Sequence, residues 1–306
     1  MAKAIFGGIE AGGTKFCCAI GDADGNIIKS MTTPTCSPAI TIQEAIQFFQ
    51  TIHKETPLTA IGIGSFGPID LDINSKTYGY ITTPPKSGWQ NFDFVGAVKS
   101  AFNLPIGFDT DVNGAALGEY RFGAGQGLDT FLYVTVGTGI GVGGMMSGQL
   151  MHGLIHPEMG HIFIPHDKER DPFAGICPFH GDCLEGLASG PAMMKRWKIK
   201  SALDLPVDHP GWDLEADYLG LAFANYIMTL SPQRIIVGGG VMKQKNLIAK
   251  IRPRVLKMLN GYIKSDKIIQ DINNYIVAPR LRDNAGICGA IALAEMVCKR
   301  SINEQS

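Results

Sequence analysis

Cys177, His180 and Cys183 stand two residues apart from one another in the run C-P-F-H-G-D-C. Zinc in a closed site takes four Cys or His ligands in a tetrahedron, and a knuckle broken by Pro178 and Gly181 can turn back to present three of them. His161, upstream in H-P-E-M-G-H, is the expected fourth ligand, with His156 and His166 as the alternatives. Four protein ligands would leave no coordination position open for hydrolytic chemistry, so the expected metal is structural.

A second kind of chemistry is written in glycine and threonine. Gly12-Gly13-Thr14-Lys15 and Gly137-Thr138-Gly139 each follow an apolar strand pattern. Tips of this composition offer backbone N–H groups and hydroxyls at close range, which is what phosphate oxygens require. Neither tip has the spacing of a P-loop. Gly238-Gly239-Gly240, after a strand and before a helix, is a third close-approach point, suited to a base or ribose. Gly139, Gly141 and Gly144 fit G-x-G-x-x-G, with Glu158 where a ribose-binding acid would stand. A dinucleotide site needs that motif to open a helix, and the residues that follow read as strand and turn, so a dehydrogenase is excluded. Two matched tips can hold a polyphosphate between them, and the expectation is a nucleotide cleft.

These residues need elements to hold them. Strand patterns over 3–10, 16–20 and 27–28 predict an antiparallel opening, followed by a helix that Thr41 and Glu44 would cap as a capping box. A buried strand over 60–64, an irregular loop over 70–91, a helix over 94–102 and a strand over 104–108 come next. The helix over 112–121 stops at F-G-A-G-Q-G, a plausible hinge. The opening plan then recurs over 130–152, which predicts an internal duplication. Later elements are a helix over 214–230, strands over 234–237 and 276–277, and a last helix over 285–298. With 306 residues, the expected division is a small α/β domain at 1–120, a larger one at 121–284, and a segment 285–306 packing back on the first.

Composition narrows the function classes. Lys plus Arg is 27 against 28 for Asp plus Glu, a net charge of −1 that leaves no overall electrostatic footprint for nucleic acid. No stretch approaches the eighteen apolar residues of a membrane helix, and the opening M-A-K-A-I-F-G-G-I-E is too short and glycine-rich for a signal peptide. Seven cysteines, an odd number with Cys17 and Cys18 adjacent, suit a reducing interior with one metal site. The expected location is the cytoplasm.

Read together, G-G-I-E-A-G-G-T-K, G-S-F-G-P-I-D, T-D-V-N-G-A-A-L-G-E, T-V-G-T-G-I-G, H-P-E-M-G-H, C-P-F-H-G-D-C-L-E and G-G-G-V-M resemble the ROK family of repressors, open reading frames and kinases, in the family's order and over essentially the whole chain. The pairing of I-E-A-G-G-T-K with the Cys/His knuckle is most similar to its bacterial fructokinase branch. The resemblance implies a two-domain actin-like ATPase (ribonuclease H-like) α/β fold, with duplicated βββαβα units and an interdomain cleft. It implies phosphorylation of a hexose by ATP, fructose first, with glucose or mannose as the alternative substrate and a sugar-responsive regulator as the alternative role. The implied general base is Asp111, at the start of a helix whose N-terminus would keep it ionised. Gly67, Thr110, Asp111, Glu158, His161 and Glu185 are the implied sugar contacts. Gly12, Gly13, Thr14, Lys15, Gly137, Thr138, Gly139, Gly239, Gly240 and Met242 are the implied ATP contacts. Structural zinc on His161, Cys177, His180 and Cys183, Mg²⁺ carried in with ATP, and a homodimer complete the implied set. The chain departs from the usual pattern at Glu10, where most members have Asp, and at Thr110, where most have Asn.

Overall fold

The computed structural model describes residues 3–303, so positions 304–306 of the expected C-terminal segment lie outside the described residues. The first sheet begins with β1 (Ile5–Ala11), which turns at Gly12–Thr14 into β2 (Lys15–Asp22) and then β3 (Ile27–Pro34), all antiparallel. Helix α1 (Pro38–His53) crosses over to β4 (Leu58–Ser65), parallel to β1. The stretch expected to be irregular holds a small ribbon of β5 (Tyr80–Ile81) and β6 (Phe92–Asp93). It also buries Trp89 completely, with the indole N–H on the Cys36 carbonyl. Helix α2 (Phe94–Ala101) leads to β7 (Ile106–Thr110), and β7 runs directly into α3 (Asp111–Phe122). The sheet order is β3-β2-β1-β4-β7.

The second sheet repeats that order. Strands β8 (Phe131–Val136), β9 (Ile140–Met146) and β10 (Gln149–Leu150) form the antiparallel set. After α4 (Leu184–Ala188), α5 (Gly190–Trp197) and α6 (Gly211–Leu230), strand β11 (Ile235–Gly238) pairs parallel with β8. Helices α7 (Leu247–Leu259), α8 (Asp266–Ile269) and α9 (Ile272–Tyr275) precede β12 (Ile276–Val277), and α10 (Ala285–Asn303) follows it. The order β10-β9-β8-β11-β12 is that of the first sheet, strand for strand. The repeated unit is therefore longer than βββαβα: each copy adds a fifth strand and a closing helix, β7–α3 in one and β12–α10 in the other. This is the α/β architecture of the actin-like ATPases. Among the described residues no helix is long and apolar enough to cross a membrane.

The closing helices join the two sheets. Alternation along β4 sends Ile61 and Ile63 into a core with Phe49 and Phe94, while Ala60 packs with Ile287, Ala290 and Ile291 of α10. Gly62 lets the α10 backbone touch the strand, for a Cβ there would clash with the Ala290 carbonyl. Gly289 of α10 meets the Gly114 carbonyl of α3 in the same way. On its other side α3 packs against the second sheet, with Ala115 and Ala116 beside Phe131, Tyr133 and Met145. Two helices thus lie between two sheets, and the N-terminus of α3 opens on the seam.

The capping box expected at Thr41 does not form. Helix α1 starts four residues earlier, on Ser37 with Pro38 in its first turn. Thr41 is inside the helix, where its hydroxyl oxygen accepts the Cys36 N–H, and Glu44 accepts the Thr33 hydroxyl instead of reaching back to the helix end.

Candidate active site

Asp111 is the first residue of α3, directly after β7. The cap itself is Thr110, whose Oγ accepts the Asn113 N–H at 3.1 Å, so Asp111 is released from that duty. One carboxylate oxygen of Asp111 accepts the Val112 N–H at 2.9 Å. Thr110 is 5 % exposed and spends a lone pair on the cap. Asn113 stitches the helix to the second sheet: its amide donates to the Met151 carbonyl and to Asp109, and its oxygen accepts the Gly144 N–H.

The electrostatics differ from the sequence reading. Burial pushes Asp111 up to about 7, and the charges of Glu10 and Glu158 push the same way. Desolvation thus outweighs the helix N-terminus that was expected to keep the group ionised. Glu10, at the far end of β1, is also raised to about 7 by burial, with the Asp283 charge adding and Lys15 opposing. Glu158 keeps 42 % of its side chain exposed, yet burial of its surroundings and the neighbouring Glu185 charge raise it to about 7. Three carboxyls from β1, α3 and the 156–161 loop therefore sense one seam.

The glycine tips meet there. The hydroxyls of Thr14 and Thr138, one from each sheet and 124 residues apart in the chain, lie 3.2 Å from each other. At the first tip a Cβ added to Gly13 would meet nothing within 4 Å, so its backbone is open to a ligand. The exposed Lys15 opens β2 beside it. At the second, Gly137 N–H donates to the Gly139 carbonyl and its own carbonyl accepts Gly190 N–H. Gly239 sits at φ +98° against the Val136 backbone, where any side chain would collide, and Gly240 is open. Met242 is half-buried against the second core. Gly139, Gly141 and Gly144 belong to the β8–β9 hairpin and its second strand, as the rejection of a dinucleotide site required.

Glu185, in the first turn of α4, accepts the Ile140 N–H at 2.9 Å, which ties it to the second tip. The other carboxylate oxygen lies 3.8 Å from His161 Nε2. His161 turns its Nδ1 the opposite way, to 3.7 Å from Cys177 Sγ and 3.5 Å from Cys183 Sγ. Cys177 Sγ is 3.6 Å from His180 Nδ1, and the four donor atoms all lie within 4.8 Å of one another. A zinc tetrahedron with bonds of about 2.3 Å to sulfur and about 2.05 Å to nitrogen has S···N edges of about 3.5 Å, so the donor set fits the ion. The knuckle closes through paired bonds between the Cys177 and Gly181 backbones, with Gly181 at φ +65°. The two alternative ligands point elsewhere: His166 contacts Asp182 and the Asp171 carbonyl, and His156 contacts Ile69 N–H.

Sequence reasoning passed over Asp109 and His152, and it offered His156 only as an alternative metal ligand. His156 is buried against Gly67, whose added Cβ would stand 3.2 Å from the ring. Asp109, 3 % exposed, accepts the Thr110 N–H and pairs with His152 Nε2 at 2.8 Å. The only signal for Asp109 was a carboxylate inside a strand pattern one residue before T-D-V-N. The partners of the two histidines, 43 and 87 residues away in the chain, left no local signal of these contacts.

The model of the ROK family matches residues 6–297. The chain belongs to the ROK family. Among its relatives, a putative fructokinase of Bacillus subtilis (strain 168) is 51 % identical over 290 residues, covering 95 % of each chain. A fructokinase of Lactococcus lactis subsp. cremoris is 45 % identical over 91 % of this ROK protein and 92 % of the relative. The solved structure of a ROK family glucokinase from Streptomyces griseus in complex with glucose and AMPPNP superposes with a TM-score of 0.75 at 25 % identity, covering 96 % of this chain and all of that one.

Proposed function

We propose that this ROK-family chain phosphorylates D-fructose to fructose 6-phosphate, with Asp111 as the general base. The chain is an ATP-dependent sugar kinase, and the fructokinases among its relatives favour the ketose. Support for the base comes from one observation: the Asp111 carboxyl senses both Glu10, on the strand that leads to the first glycine tip, and Glu158, in the loop that carries the hydroxyl acceptors. A group between a phosphate corner and a sugar corner stands where a proton must be taken from the attacking hydroxyl. Its raised pKa, about 7, matches the range in which a carboxylate transfers protons most effectively near neutrality.

In this reading Glu158, Glu185 and His161 accept and donate to the sugar hydroxyls. Gly67 and Thr110 complete the sugar contacts, and Thr110 also caps the helix that Asp111 opens. Gly12–Lys15 and Gly137–Gly139 take the phosphates, while Gly239, Gly240 and Met242 line the nucleoside end. Mg²⁺ bound with ATP would neutralise charge on the transferring phosphoryl, and Glu10 is the acidic side chain nearest that role. Zinc on His161, Cys177, His180 and Cys183 would fix the tautomer of His161 and aim its Nε2 at the cleft. We assign 1–120 and 121–284 to the two domains and 285–306 to the segment that returns to the first.

ADP release measured across fructose, glucose, mannose and N-acetylmannosamine tests the substrate. Fructose is expected to give the highest kcat/KM. A higher value with any of the other three would overturn the assignment.

A further inference from the structure

His156 is 4 % exposed, and its two ring nitrogens look to opposite sides of the seam. Nε2 accepts the Ile69 N–H at 3.0 Å, in the segment that leaves β4 of the first sheet. Nδ1 faces Glu158 Oε1 at 3.4 Å and the carbonyl of Pro157. A backbone N–H can only donate, so Nε2 is the unprotonated nitrogen and the ring proton of the neutral form sits on Nδ1, on the side of the Pro157 carbonyl and the Glu158 carboxylate. Burial, which lowers the ring's pKa, favours that neutral form. Gly67 holds the ring from a third side, since a Cβ there would stand 3.2 Å from Cε1.

We propose that His156 is a positioning residue that couples approach of the two lobes to the aim of Glu158. The bond to Ile69 forms only when the β4 segment is drawn against the 156–161 loop. In that state the ring holds the loop that carries Glu158, with Nδ1 3.4 Å from the carboxylate oxygen that grips the sugar. The proposal rests on the reading of Glu158 as a hydroxyl acceptor. It gives the histidine a task that neither the metal cluster nor the phosphate tips perform: it makes hexose affinity depend on closure.

Two substitutions separate the two nitrogens. In His156→Gln the amide oxygen reaches the Nε2 position and keeps the inter-lobe bond, but the Nδ1 donor is gone. Hexose KM is expected to rise about threefold to fivefold, the worth of one weak polar contact, with kcat and ATP KM within about twofold. In His156→Asn the amide nitrogen reaches the Nδ1 position while the Ile69 N–H loses its partner, so kcat is expected to fall along with hexose affinity. Glu158→Gln should itself raise hexose KM, and the His156→Gln/Glu158→Gln double variant should be no worse than Glu158→Gln alone. If Glu158→Gln raises hexose KM and His156→Gln leaves it unchanged, the positioning role is wrong while the sugar-contact reading survives. If Glu158→Gln leaves hexose KM unchanged, the sugar-contact reading fails and takes this proposal with it. Equal losses toward hexose and ATP with a lowered melting temperature in His156→Gln would mark the residue as packing only and overturn the proposal. Should His156→Gln fail to fold, His156→Asn carries the test: a fall in kcat together with hexose affinity at unchanged ATP KM supports the coupling, and unchanged hexose affinity refutes it.

Discussion

Lowering the pH should switch this enzyme off well above the range where an ordinary carboxylate base would. The Asp111 carboxyl is pushed to about 7 by burial, with Glu10 and Glu158 adding. A base with that pKa is only about 3 % ionised at pH 5.5, so this group alone should hold kcat/KM at least about 30-fold below its plateau there. A carboxyl near 3.9 would be almost fully ionised and would show no loss. Glu158 is raised to about 7 as well, and it must be ionised to accept sugar hydroxyls. The acid limb should therefore steepen beyond a slope of one. Because kcat/KM for the hexose reports groups of the enzyme form that meets the hexose, the assay uses subsaturating hexose at a fixed, saturating ATP and Mg²⁺ between pH 5 and 9. ADP is quantified after quenching so that no coupling enzyme titrates. Glu10→Gln removes one of the charges that hold Asp111 up, and the limb should move to lower pH whatever the absolute rate. The same shift has the opposite sign for stability. A carboxyl raised in the folded state contributes stability that is complete at pH below about 4 and is lost as the pH rises through about 7. A profile flat down to pH 5, or a limb unmoved by Glu10→Gln, would refute the electrostatic account.

Two further outcomes follow from the frame. A zinc-selective chelator, with Mg²⁺ kept in excess, should lower the melting temperature and raise hexose KM together, because His161 joins the donor cluster to the Glu185 side of the cleft; unchanged hexose KM in metal-free protein would break that link. Gly62→Ala places a methyl in the α10 backbone, 2.6 Å from the Ala294 nitrogen, and should cost about 2 kcal/mol or more in urea unfolding. Gly13→Ala, with nothing within 4 Å, should leave stability unchanged, and equal stability losses in the two variants would contradict the packing described for α10.

What was legible in the sequence was whatever depends on local pattern. The strand–tip–strand plan of 3–29 and of 130–152 is carried by alternating apolar residues and by glycine between them, and both copies form the sheet openings expected. The Cys177–Cys183 knuckle was readable because its ligand spacing is local, and His161 joins it in space. Pattern failed where a side chain's partner is distant. Thr41 and Glu44 have the spacing of a capping box, but Cys36 and Thr33 claim them, and Pro38 starts the helix earlier. Trp89 stands in a polar stretch, yet Phe16, Phe66, Phe92 and Phe94 close around it. The ionisation of Asp111 was misjudged for the same reason. A helix N-terminus is visible in sequence, whereas the gathering of three carboxyls at one seam exists only after folding.

The central claim is that Asp111 takes the proton from the attacking hydroxyl, and Asp111→Asn tests it most directly. The substitution keeps size and leaves the Thr110 cap in place. Turnover should fall by about 10³-fold, within the usual worth of a general base, while hexose binding measured by calorimetry changes by no more than a few-fold. Turnover within about tenfold of the unaltered enzyme, with hexose still bound, would contradict the account.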